Sequence, residues 1–140
     1  MAGYSGTPLL KKLGIGNGTV LYLRGAPPGV LDDIPVGVRV LDQARGQADV
    51  VVAFLLRRAE LERKIVSLGK MIFPSGGLWV AWPKRASGIA TDMTDDVIRQ
   101  VALPLGLVDN KVCAIDATWS GLRVVWRRER RGTPPAFGMA

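Results

Sequence analysis

"ADVVVAFLLRRAELERKIVSLGKMIFPSGGLWVAWPK", residues 48–84, decides how this chain folds. Val50 to Leu56 is an unbroken apolar run, the pattern of a strand buried on both faces in a parallel sheet. Leu61, Ile65, Leu68 and Ile72 then recur at spacings of four, three and four, which draws one apolar stripe along a helix. Glu60, Glu62, Arg63, Lys64 and Lys70 fill its other faces, with Glu60 four residues ahead of Lys64 in the favourable order. Pro74 and the pair Gly76-Gly77 stop the helix. Residues 77–84 return as a second apolar strand. Strand, helix and strand in this order make a right-handed crossover between parallel neighbours.

The rest of the chain extends this unit in both directions. Upstream, "TVLYLR" (19–24) reads as a strand and "VRVLD" (38–42) as a weaker one. Downstream, Thr94 is a suitable N-cap, with Asp95 and Asp96 at the positive end of a second helix. "LPLG" (103–106) ends that helix. "KVCAID" (111–116) and "LRVVWR" (122–127) close the domain as an antiparallel hairpin joined by "ATWSG" (117–121). The expected architecture is a single three-layer α/β domain over residues 19–128, Rossmann-like, with a mostly parallel sheet. An arm (1–18) carrying Leu9, Leu10, Leu13 and Ile15 precedes it, and a basic, proline-bearing tail (129–140), expected to be disordered, follows.

Composition narrows the chemistry. The chain has 140 residues, enough for one domain with a proper core. There is no histidine, which removes the commonest general base near neutral pH and the commonest transition-metal ligand. One cysteine, Cys113, forms no intramolecular disulfide, which fits a reducing cytoplasm, and reads as a small buried hydrophobe. No carboxylate cluster or metal site is expected. The longest apolar run is too short to span a bilayer, and no signal peptide is visible, so the expectation is a cytoplasmic protein without a membrane anchor. Net charge is +7. Four arginines in "WRRERRG" (126–132) concentrate part of that excess. They form either a solvated strand end or a nucleic-acid contact, although no aromatic residues interleave as stacking platforms.

The quoted stretch resembles the second half of class I S-adenosylmethionine-dependent methyltransferases, where a helix ends in a "Pro-Gly-Gly" turn before an apolar strand. Phe73-Pro74-Ser75-Gly76-Gly77-Leu78 is similar to that turn with one serine inserted, and the closing hairpin resembles the last two strands of that fold. The resemblance implies a truncated version of it. A second resemblance runs through "GYSGTPLLKKLGI", "WVAWPKRASGIATDMTDDVIR" and "LGLVDNKVCAIDATWSGLRVV". These blocks are similar to a bacterial family of small domains of unknown function, which implies a bacterial cytosolic protein and assigns no catalytic residue.

The methyltransferase resemblance also implies S-adenosylmethionine as a cofactor, and the residues support it at one place only. Arg24-Gly25-Ala26-Pro27-Pro28-Gly29 occupies the first turn, and prolines have no N–H to offer a ligand. Asp42 matches the acidic residue that holds ribose hydroxyls in that family. The family's catalytic signature, an acidic or amide residue followed by two prolines, is replaced by Leu55-Leu56-Arg57-Arg58. No catalytic residue is therefore expected. Open parallel sheets bind ligands at their carboxyl edge. There Arg24, Arg57, Arg58, Lys84 and Arg85 outnumber Asp42: they either converge on a crevice that favours an anionic small molecule or a protein partner, or point to solvent and cap helix ends. Ser87, Gly88, Thr91 and Asp92 form a loop that either wraps a ligand or builds a turn. Tyr4, Lys11 and Lys12 in the arm are lid or partner candidates. In the hairpin, Asp116, Trp119 and Ser120 are partner candidates, with Trp119 either exposed or folded over the core.

Overall fold

A computed structural model of the chain describes residues 8–132. Six strands form one sheet in the order β2-β1-β3-β4-β6-β5. They are β1 (Val20–Arg24), β2 (Arg39–Leu41), β3 (Val50–Phe54), β4 (Gly77–Pro83), β5 (Leu107–Ala114) and β6 (Trp119–Trp126). Strands β1 to β4 are mutually parallel, and β6 runs antiparallel between β4 and β5. Helices α1 (Leu9–Leu13), α2 (Arg58–Ile72) and α3 (Asp95–Ala102) accompany the sheet.

The diagnostic stretch behaves as its pattern dictates. Every residue of β3 is buried, and its side chains alternate between two cores. Val51, Ala53 and Leu55 face α2, whose stripe of Leu61, Ile65, Leu68 and Ile72 is almost wholly buried. Burying each such side chain contributes about 1.5–3 kcal/mol. Trp126 fills the same core, and its indole N–H donates to the Gly69 carbonyl at 2.9 Å. Residue 69 is glycine because a Cβ there would stand 3.3 Å from the Trp126 ring. Thr94 caps α3, accepting the Val97 N–H at 3.1 Å.

The opposite face is covered more thinly. Val50, Val52, Phe54 and Trp79 pack there against Leu13 and Ile15 of the arm and against Val30, Leu31 and Ile34 of the β1–β2 connection. The Trp79 indole N–H donates to the Leu13 carbonyl at 3.0 Å. Of the three expected layers, this one consists of the five-residue α1 and an irregular segment. Residues 25–38 hold three prolines and about the dozen residues that a parallel crossover needs, with none to spare for a helix.

The closing hairpin departs from its sequence reading. β5 begins at Leu107, four residues early, because a bulge between Asp109 and Lys111 absorbs Asn110. Trp119 and Ser120 belong to β6, and the turn lies before them. Residues Arg128–Arg130 form a 3₁₀ turn, and the Arg131 guanidinium donates to the Trp126 carbonyl. Among the described residues no helix is long and apolar enough to cross a membrane, and no cluster of metal-ligating side chains occurs.

Candidate functional site

Strand order reverses between β1 and β3: β2 lies on one side of that pair and β4 on the other. In open α/β sheets the carboxyl ends beside such a switch point form a crevice. Here the crevice is bordered by the end of β1 at Arg24 and the end of β3 at Phe54. Gly25 leaves β1 with φ +72°, and a Cβ on it would meet the Phe54 carbonyl oxygen at 3.1 Å. Glycine is required there both for its left-handed backbone and for its close approach to β3.

The turn that follows offers no amide cradle. Pro27 and Pro28 have no N–H. The Gly29 N–H donates to the Asp32 carboxylate at 2.8 Å, and the Val30 N–H donates to the Pro27 carbonyl at 3.1 Å. Each backbone donor from 27 to 30 is missing or taken. Leu31 holds a left-handed φ of 57°, which costs about 1–2 kcal/mol for a side-chain-bearing residue. Its side chain packs on the second core, so burial offsets the strain.

The cations predicted at this edge divide into two groups. Arg24, half-buried, and Arg57, exposed, leave the two strands that border the switch point, and neither has an ion-pair or hydrogen-bond partner for its side chain among the described residues. Arg58 and Lys84 do not join them. The Arg58 guanidinium pairs with Glu62 at 3.2 Å and donates to Gln100 at 2.8 Å, which ties α2 to α3. The Lys84 ammonium donates to the Asp116 carbonyl at 2.8 Å, and its backbone N–H donates to the Thr118 carbonyl. Lys84 therefore anchors the hairpin turn. Asp42 follows β2, exposed and without a partner among the described residues.

The loop above the edge is built by its own polar groups. Ser87 donates to the Lys84 carbonyl at 2.7 Å, and Gly88 turns the chain with φ +75°. Thr91 donates to the Leu56 carbonyl at 2.6 Å and accepts the Met93 N–H. The Asp92 carboxylate accepts the Arg58 N–H at 2.7 Å, at the start of α2. Thr91 and Asp92 thus strap the loop to the β3–α2 connection. Beneath it lies a cleft of about 450 Å³ that includes Trp82, Arg85, Gly88, Thr91 and Asp95.

The remaining candidates lie elsewhere. The Asp116 carboxylate closes the hairpin turn by accepting the N–H groups of Thr118 and Trp119, both at 2.8 Å. Trp119 is 8% exposed and meets Phe54 edge-on at 5.2 Å, so it is a core residue. Ser120, opposite Ala114 and Trp82, sits in the ladder. Lys11 and Lys12 belong to α1, which lies over the amino halves of β3 and β4, where Gly14 approaches Val50. Tyr4 lies outside the described residues. Burial pushes the Cys113 thiol up, with Lys12 opposing in part. Asp32, whose carboxylate accepts the Gly29 N–H, is a site residue that no local sequence pattern marked.

No family model and no curated protein matches the chain. Solved structures do. Magnesium protoporphyrin IX methyltransferase from Synechocystis PCC 6803 with bound SAM aligns over 85% of this chain and 74% of that one, with a TM-score of 0.57 at 10% identity. The same enzyme with bound SAH aligns with a TM-score of 0.50 at 16% identity over 65% of this chain, which spans only 52% of that chain's length. The Methanococcus jannaschii fibrillarin pre-rRNA processing protein aligns over 80% of this chain and 68% of that one, with a TM-score of 0.53 at 11% identity. At these identities the likeness concerns architecture: the chain has a Rossmann-like fold of the class I methyltransferase kind.

Proposed function

We propose that this chain is a non-catalytic binding or regulatory module that holds an anionic group, on a small molecule or a protein partner, at the carboxyl edge beside β1 and β3. The observation that carries this reading is the pair Arg24 and Arg57, which stand at the exits of the two bordering strands with no ion pair or hydrogen bond to either side chain among the described residues. Guanidinium groups bind phosphate and carboxylate through paired hydrogen bonds, and a partly sheltered edge strengthens them. Replacing both by glutamine should abolish saturable binding of nucleotides or phosphorylated metabolites in calorimetry. Undiminished binding by the double variant, or no binding by the unaltered protein, would overturn it.

A second reading, a divergent S-adenosylmethionine-dependent methyltransferase, is favoured by the fold neighbours and by one residue. Asp42, exposed at the end of β2, fits the ribose-holding position. The first turn does not fit the rest of that cofactor, because its donors are absent or bound to Asp32 and Pro27. At the β3 exit stand Leu55, Leu56 and Arg57, none of which supplies the acidic or amide group of the family's signature. The fold therefore supports the second reading and the turn supports the first.

A further inference from the structure

The amino edge of the sheet holds a cation that the sequence did not single out. Arg123 stands in β6 directly opposite Trp79 of β4 and Lys111 of β5. It shares their face, the one that α2 and α3 leave uncovered. Its guanidinium lies over Gly77, the second glycine of the turn after α2, and a Cβ at residue 77 would collide with it. Gly77 thus makes a seat for this side chain against the β4 backbone. Arg123 is half-buried, yet no hydrogen bond or ion pair serves its side chain among the described residues. Burial lowers its proton affinity, and the nearby charge of Arg131 lowers it further.

Like charges placed opposite one another across strands are destabilising. Lys111 and Arg123 are such a pair, and Arg131 adds a third positive charge. A cleft of about 410 Å³ is lined by Lys111 and Trp79, the cross-strand neighbours of Arg123, together with Lys12 and Cys113. That volume falls in the range of small-molecule sites. An anion on Arg123 and Lys111 would relieve their repulsion and satisfy a half-buried fork of donors. We propose that Arg123 and Lys111 form a phosphate-binding seat at the amino edge of the sheet, with the adjoining cleft receiving the body of a phosphorylated small molecule. This site is separate from the carboxyl edge, so its fate does not depend on Arg24 or Arg57.

The test is calorimetric titration of the full chain with pyrophosphate and, separately, with a single-stranded oligonucleotide. The variants are Arg123→Gln, Lys111→Gln and the Arg24→Gln/Arg57→Gln double. Pyrophosphate should bind the unaltered protein and the double variant alike, and Arg123→Gln should weaken it by about ten-fold or more. Lys111→Gln, an exposed change that leaves the core alone, should weaken it by less. Without ligand, Arg123→Gln should melt no lower than the unaltered protein, since it removes a repulsion. Binding of the oligonucleotide alone, lost in Arg123→Gln, would keep the seat and overturn the small-molecule occupant. Equal affinities for the unaltered protein and Arg123→Gln, or no binding of either probe at millimolar concentration, would overturn the seat itself.

Discussion

Asp92→Ala should loosen the strap that holds the 85–94 loop across the carboxyl edge. The Asp92 carboxylate accepts the Arg58 N–H at 2.7 Å, at the first residue of α2. No side chain caps that helix from its own N-cap residue, Arg57, so Asp92 caps it from 34 residues away. Losing a cap costs about 1 kcal/mol, within a range of about 0.5–2. Removing a negative charge from a helix N-terminus costs a further 0.3–1 kcal/mol or so. The combined loss of about 1–2 kcal/mol should lower Tm by roughly 3–7 °C in a domain of this size. Urea denaturation followed by far-ultraviolet circular dichroism would measure it. Asp92→Asn keeps an acceptor oxygen and removes the charge, so it should retain about half of the contribution. Hydrogen exchange supplies a local readout: the Arg58 amide should lose protection while amides in β3 keep theirs. If Asp92→Ala unfolds at the same urea concentration as the unaltered protein, with the Arg58 amide still protected, the cap is not what holds the loop.

Further predictions concern other parts of the framework. Gly25→Ala forces a side chain onto a left-handed residue 3.1 Å from the Phe54 carbonyl and should cost about 1–2 kcal/mol in denaturant unfolding; an unchanged midpoint would refute the required geometry. Trp126→Phe removes the donor to the Gly69 carbonyl in a fully buried site and should cost roughly 1–3 kcal/mol, with quenched tryptophan emission reporting the loss of a buried indole. Cys113 has a thiol pushed up by burial, so its thiolate fraction near pH 8 is below that of an exposed cysteine. Its alkylation should be slower than that of free cysteine and should quicken as pH rises; a rate equal to the free thiol's would refute this.

The fold was legible wherever the signal was local and periodic. The apolar run of β3, the four-residue stripe of α2 and the Thr94 cap each carry their own instruction, and each was found where the pattern put it. The closing hairpin is antiparallel as expected, but its turn lies earlier than 117–121, a span placed too late because Gly121 looked like a turn glycine. It is a packing glycine inside β6, where a Cβ would stand 3.2 Å from both Ile115 and Trp79. The start of β5 was hidden by its bulge, since Asp109 and Asn110 resemble a loop when read in sequence. Asp109 is held in the strand by Arg99 at 3.1 Å, an ion pair between neighbouring elements.

The site was legible in its position and opaque in its wiring. The proline turn, the glycine at 25 and the crowd of cations at strand ends could all be read along the chain. Which cations were already engaged could not. Lys84 is tied to a carbonyl 32 residues away, and Arg58 to a glutamine 42 residues away. Such pairings depend on how two elements cross, and no local pattern encodes that. Arg123 escaped notice for the same reason: a lone arginine in a strand acquires meaning only from Lys111 opposite it and Gly77 beneath it.

Calorimetric titration with S-adenosylhomocysteine tests the central claim most directly, because that ligand needs the first turn and an anion does not. With the donors of residues 27–30 absent or occupied, the account predicts no saturable heat at millimolar ligand. Saturable binding at micromolar concentration, abolished by Asp42→Ala and preserved in the Arg24→Gln/Arg57→Gln variant, would contradict it.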